Sequence, residues 1–171
     1  MDSAWLNLMH AWQHPLLTAG MCAATWLGSL FVLLPLALFA SWRWAGGSDW
    51  RGRAFLPAAV LSATGVAHTI KWLVDRTRPD VFPSLVLMPA DANFPSAHAM
   101  QAAAFVTAWL LWTGGFRRMG QVALALLLVG TVGLSRTYLQ VHFLSDVLFG
   151  IAAGVLCSAL LYALPIWNRK G

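Results

Sequence analysis

An all-α, polytopic membrane bundle is predicted by three features of the sequence. Of its 171 residues 59% are hydrophobic and only 10% are charged, the apolar residues gather into five long runs, and most of the charges stand at the ends of those runs. A chain of this length, with most of it spent on spans of roughly 20 residues each, is expected to be one membrane domain, 1–171, without a separate soluble module.

The five runs cover about 18–42, 54–74, 97–113, 119–137 and 144–166. Pro35, Pro57 and Pro165 fall near span ends or at kinks, which membrane helices tolerate. Ahead of the first run, Ala4, Trp5, Leu8, Met9 and Trp12 recur at helical spacing among Asp2, Asn7, His10 and Gln13, until Pro15 breaks the pattern. That stretch reads as a short interfacial helix or, alternatively, as a sixth, partly inserted segment. No Lys or Arg precedes Arg43, so the basic leader of a cleavable signal peptide is missing and the first span is expected to remain. Trp42, Trp44, Trp72, Trp112 and Trp167 mark run ends, the headgroup level that indole prefers. Cys22 and Cys157 lie inside apolar runs and read as small hydrophobes, without a disulfide framework or a metal site. Gly150 and Gly154 make a small-residue step suited to packing the last span on a neighbour.

Charge orients the bundle. Arg43, Arg51 and Arg53 fall between the first two runs, Arg117 and Arg118 between the third and fourth, and Arg169 and Lys170 in the tail; Asp49 is the one acid among them. The positive-inside rule makes that side cytoplasmic. The opposite side carries Lys71, Arg76, Arg78 and Arg136 together with Asp2, Asp75, Asp80, Asp91 and Asp146, and its cations crowd with His98 and His142 into two connections, 71–98 and 135–146. Ionisable residues at span ends are costly and commonly functional, so the site is expected on the extracytoplasmic face. The formal net charge of +5 is scattered over span ends and forms no basic surface, so no nucleic-acid partner is expected.

Three stretches carry chemistry. Lys71 and Arg78 are seven residues apart, close to two helical turns, so both point to one face as an anion site; ordinary snorkelling at a span end is the bland alternative. Pro95-Ser96-Ala97-His98 stands where the third span starts, where free backbone N–H groups and the positive helix end hold anions, although a Ser there is often only a cap. His142 and Asp146 are four apart, so on a helix the carboxylate accepts the imidazole N–H and leaves the other nitrogen free to attack. Arg136, at the end of the fourth span, adds a third cation.

The pattern Lys71-x6-Arg78-Pro79, Pro95-Ser96-x-His98 and Ser135-Arg136-x5-His142-x3-Asp146 resembles the signature of the type 2 phosphatidic acid phosphatases, with all three blocks in order over residues 71–146. The resemblance implies a six-helix membrane core, if the N-terminal helix counts as one, and implies roles residue by residue. Lys71, Arg78 and Arg136 would bind the phosphoryl oxygens and Ser96 would donate to them. His98 would protonate the leaving group, His142 would attack, and Asp146 would orient it. Ala97 departs from the family's usual glycine; its N–H survives the change, and only tight steric approach to phosphate is affected.

Phosphoryl transfer needs positioning and cations, which these residues supply, so neither a metal nor a cofactor is expected. The expected partners are the bilayer and a lipid phosphate: undecaprenyl diphosphate, phosphatidylglycerol phosphate or phosphatidic acid, the substrates of similar small bacterial members. The expected location is the bacterial inner membrane, with the site facing the periplasm or exterior. A lipid phosphotransferase using the same site, or a lipid-phosphate binder or transporter without turnover, is the alternative; the related constellation of the soluble vanadium haloperoxidases does not suit this hydropathy. His68 reads as a satisfied intramembrane histidine or a residue behind Lys71, and the connection from Asp80 to Phe94 as a lid or a wall of the lipid path.

Overall fold

The computed structural model describes residues 1–44, 50–87 and 91–167. Asp49, Arg169, Lys170 and the side chain of Trp44 lie outside the described residues, as does part of the Asp80–Phe94 connection. Seven α-helices and no strands are present among the described residues: α1 Asp2–Ala11, α2 Pro15–Thr25, α3 Leu30–Trp44, α4 Trp50–Val74, α5 Ala97–Thr113, α6 Met119–Tyr138 and α7 Leu144–Ala163, with short 3-10 turns at Trp26–Gly28 and Gly115–Arg117.

The expectation of five spans is met in part. α6 and α7 are each long and apolar enough to cross a membrane, and α2 with α3 make a third such unit, bent by 52°. α5 has only 17 residues, and α4 carries Arg51, Arg53 and Lys71 along its length. The run at 18–42 is therefore not one straight helix. Gly28 lies so close to α5 that an added Cβ would come within 2.9 Å of the His98 carbonyl oxygen, and Ser29 then turns extended. The Ser29 hydroxyl accepts the Phe31 N–H and restarts the helix. A Gly-Ser pair is a recognised cause of such a break, and this one turns Leu30 and Phe31 toward the cavity described below.

α1 is too short to span, at roughly 15 Å by helical rise, and packs across the ends of α6 and α7. Leu6 and Met9 are buried, Met9 against Tyr138, Leu139 and Val141, while Ala4, Leu8 and Trp12 are exposed. The apolar stripe expected to face lipid is thus shared between protein and surroundings. Trp42 and Trp72 are exposed, as indoles at the headgroup level would be, whereas Trp112 and Trp167 pack at a tilt around Phe55 inside the bundle.

α5 touches α3, α4, α6 and α7, and residues all around it are buried, which suits its uniformly apolar sequence. Gly114, with φ +66°, ends it in the left-handed conformation that glycine adopts without penalty. Its longest seam is with α7, made possible by the two glycines: a Cβ on Gly150 would stand 2.7 Å from the Ser96 carbonyl oxygen, and one on Gly154 would collide with the Met100 carbonyl. The Ser158 hydroxyl, one turn further, donates to the Ala104 carbonyl at 2.8 Å. Gly154→Val is expected to destabilise the protein by about 3 kcal/mol and lower Tm in detergent by about 6–12 °C. Gly20→Ala, where an added Cβ meets nothing within 4 Å, serves as the control and should leave Tm unchanged.

Candidate active site

One end of the bundle collects the C-terminal ends of α4 and α6, the N-terminal ends of α5 and α7, and the connections that follow α4 and α6. There a cavity of about 370 Å³ is lined by Lys71, Arg78, Ala97, His98, Arg136 and His142, with Asp91, Thr64, His68, Gln101, Ser29, Leu30 and Phe31 completing its wall. Six of the eight residues singled out by sequence spacing therefore face one space; Ser96 and Asp146 are fully buried behind it.

The three cations arrive from three directions. Lys71 Nζ, in the last turn of α4, lies 3.1 Å from Asp91 Oδ2 and donates to the Ala92 carbonyl. Arg78 Nη2 is 2.5 Å from Asp91 Oδ1, and its Nη1 donates to the Val141 carbonyl at 3.1 Å, which sets the guanidinium beside the His142 backbone. Arg136 Nη1 donates to the Thr25 hydroxyl at 2.8 Å, while its buried Nε has no protein partner among the described residues. Burial pushes the Asp91 carboxyl up, but hydrogen bonds and charge from Lys71 and Arg78 outweigh it and hold the group below the ordinary carboxylate value.

Ser96 is the N-cap residue of α5, yet its side chain caps nothing. Its backbone N–H donates to the Asp146 carbonyl at 3.1 Å and its buried hydroxyl is unpartnered among the described residues. The role of a mere cap is thus excluded for the hydroxyl.

His142 and Asp146 meet differently from the expectation. α7 begins only at Leu144, so His142 precedes the helix and the two do not share a helical face. His142 Nδ1 stands 3.7 Å from Asp146 Oδ2, beyond hydrogen-bond range, and is unpartnered. The Asp146 carboxylate turns back to accept the Phe143 N–H at 2.8 Å, is met by Asn93 Nδ2 on the same oxygen, and takes Arg76 Nη1 at 2.5 Å on the other. The turn that delivers His142 passes through Gln140 at φ +59°, a conformation disfavoured for a side chain with Cβ, held by a Gln140 Nε2 bond to the Leu6 carbonyl at 3.1 Å.

Arg76 and Asn93 were not singled out by the sequence as site residues, nor was Asp2. Arg76 was visible only as one more cation; in the structure it also donates to the Ser145 hydroxyl at 2.9 Å, reaches Asp2 at 3.3 Å, and lies 4.4 Å above the Phe143 ring. Asp2 in turn accepts the Ser145 N–H at 3.1 Å and its hydroxyl at 2.6 Å, so α1 caps α7. His68 lines the cavity and is exposed rather than enclosed.

Burial pushes the His142 imidazole well below the ordinary histidine value, and the charges of Arg136, Arg78 and Lys71 push it the same way. The folded chain therefore refuses a proton that the unfolded chain accepts. His142 consequently contributes stability that is full above about pH 6.5 and is lost progressively as pH falls below it. Replacing His142 by Gln is expected to flatten the decline of Tm between pH 7 and pH 5, measured by thermal unfolding in detergent.

Comparison with known proteins gives one consistent result. The family model described as PAP2 superfamily matches residues 53–170. Phosphatidylglycerophosphatase B of Bacillus subtilis is 30% identical over 153 residues, covering 84% of this chain and 73% of that protein. Decaprenylphosphoryl-5-phosphoribose phosphatase of Mycobacterium tuberculosis is 37% identical over 107 residues, covering 61% of this chain and 56% of its own length. The crystal structure of the transmembrane PAP2 type phosphatidylglycerolphosphate phosphatase from Bacillus subtilis superposes with a TM-score of 0.84 at 27% identity, over 99% of this chain and 86% of that one.

Proposed function

The chain belongs to the PAP2 superfamily, and from that premise we propose that it is a lipid phosphatase that works through a phosphohistidine on His142 and needs no metal. Membrane location and phosphatase chemistry come with the family. Undecaprenyl diphosphate, phosphatidylglycerol phosphate and phosphatidic acid are the candidate substrates, and the two named relatives, one a phosphatidylglycerophosphatase and one acting on a decaprenyl-linked phosphoribose, differ in the lipid they carry. We read the whole chain as one catalytic domain of five spans, with α1 at the interface, in a bacterial inner membrane. The seven cations of the opposite side face the cytoplasm in this reading, and the site faces the periplasm or exterior.

The observation that carries the reading is the cavity itself: three cations and two histidines converge on one space walled partly by Leu30 and Phe31. Lys71, Arg78 and Arg136 stabilise the charge that spreads over the equatorial oxygens during transfer, and the Ser96 hydroxyl and Ala97 N–H add donors. A neutral His142 attacks phosphorus in line through Nε2; the P–O bond to the leaving group breaks, the lipid alcohol of a monoester or the lipid monophosphate of a diphosphate, and His98 gives its proton to the departing oxygen. His98, now neutral, then takes a proton from water, whose oxygen attacks phosphorus; the P–N bond breaks, inorganic phosphate leaves and His142 is restored. Asp146, itself held by Arg76, Asn93 and the Phe143 N–H, stabilises the imidazole as positive charge develops on it.

The test is phosphate release by the purified protein, in detergent with chelator, from each of the three candidate lipids. Release that survives chelation supports the reading and ranks the substrates. Loss of all release on chelation, restored by a divalent cation, overturns metal independence; phosphate appearing on an acceptor lipid instead of in water makes the protein a transferase.

A further inference from the structure

Asp91 holds the two cations that the proposed function assigns to the substrate phosphoryl group. Its two oxygens are divided between Lys71 Nζ, at 3.1 Å, and Arg78 Nη2, at 2.5 Å, the same two cations that would hold phosphoryl oxygens. The third cation is not part of this arrangement: Arg136 turns one nitrogen to Thr25 and leaves its Nε unpartnered. With 36% of its side chain exposed, Asp91 has a side open to its surroundings.

We infer that Asp91 is a specificity-determining residue, an internal competitor that yields the anion site to a terminal phosphate and withholds it from the phosphodiester headgroups of ordinary bilayer lipids. A phosphodiester brings one negative charge and two free oxygens, no more than the carboxylate it would displace. Exchanging one for the other gains nothing. A terminal phosphate brings three free oxygens and up to two charges, so it satisfies Lys71 and Arg78 as Asp91 does and adds Arg136. In a bilayer the phosphodiesters vastly outnumber phosphomonoesters, and a three-cation site without an occupant of its own would be filled by them. Return of the carboxylate after turnover also helps expel inorganic phosphate.

This inference rests on the lipid phosphatase reading, and the experiment separates the two. Full-length wild type and Asp91→Asn, which keeps the shape and drops the charge, are compared in detergent micelles in two assays. Calorimetric titration with inorganic phosphate is expected to show binding about tenfold tighter in the variant. In the second assay, phosphatidic acid is the substrate and phosphatidylglycerol, a phosphodiester, is added in increasing mole fraction. The variant is expected to have a lower KM and to be inhibited at fractions that leave wild type unaffected. Asp91→Ala should behave alike. Weaker or unchanged phosphate binding in both variants, or diester inhibition equal to wild type, would show that Asp91 merely orients the two cations and would overturn the inference. If wild type releases no phosphate from any of the three candidate lipids, the phosphatase reading falls, while the phosphate titration, repeated with short-chain phosphatidylglycerol as competitor, still decides the role of Asp91.

Discussion

Alanine at position 142 is expected to abolish phosphate release, with kcat down by at least about 10⁴-fold, since removal of a covalent nucleophile leaves only positioning and electrostatic stabilisation to assist water. The fold should tolerate the change: the imidazole is buried, neutral at physiological pH, and its Nδ1 makes no hydrogen bond among the described residues that would be left broken. Binding of inorganic phosphate should persist within a few-fold, because the three cations are untouched. Wild type mixed with labelled substrate and quenched in alkaline detergent should carry a base-stable, acid-labile phosphoryl group that the variant lacks. Residual turnover within tenfold of wild type would remove His142 from the nucleophile's role and leave His98 as the imidazole to examine.

Removing Arg76 is expected to have the next largest effect, although this side chain touches no part of the cavity. Arg76→Ala strips the buried Asp146 carboxylate of its cation and leaves Asp2 to Ser145 alone. An ion pair broken from one side costs about 3–5 kcal/mol when its survivor is buried, so Tm should fall. More telling is the kinetic pattern: kcat about 10²–10³-fold lower with KM nearly unchanged, because the orientation of the nucleophile is disturbed while the phosphate-binding cations stay in place. Added guanidinium should restore part of the rate to Arg76→Ala and none to His142→Ala. A fall in Tm with unchanged specific activity of the folded fraction would make Arg76 structural only.

Much of the site was legible because its members are tied to motif spacings within three short stretches, and cations gathered on the side that the charge rule expects to be poor in them are conspicuous. The pairs that hold those members in place were not legible. Arg76 and Asp146 are 70 residues apart and Asp2 and Ser145 are 143 apart, and no periodicity connects such positions. The relation of His142 to Asp146 was misjudged for a local reason: spacing of four implies a shared face only inside a helix, and here the helix begins between them. The break in the first span had a signal, Gly28-Ser29, but hydropathy windows average over it. Gly150 and Gly154 were recognisable as a packing step, while the identity of the neighbour, α5, is a property of the assembled bundle.

The close seam between α5 and α7 divides the site into two mechanical classes. Ser96, Ala97 and His98 open one of these helices, while His142 and Asp146 stand at the start of the other, and the carbonyl of Asp146 is joined to the amide of Ser96. In the proposed mechanism the attacking nitrogen and the proton donor are therefore carried on one block, whose spacing is set by backbone touching backbone. Lys71, Arg78, Arg136 and the bent pair of helices belong to elements outside that block. Such a division lets the walls shift by fractions of an ångström to accept a different head or tail while the reaction coordinate keeps its length. A fold built this way can diversify in the lipids it accepts without relearning its chemistry.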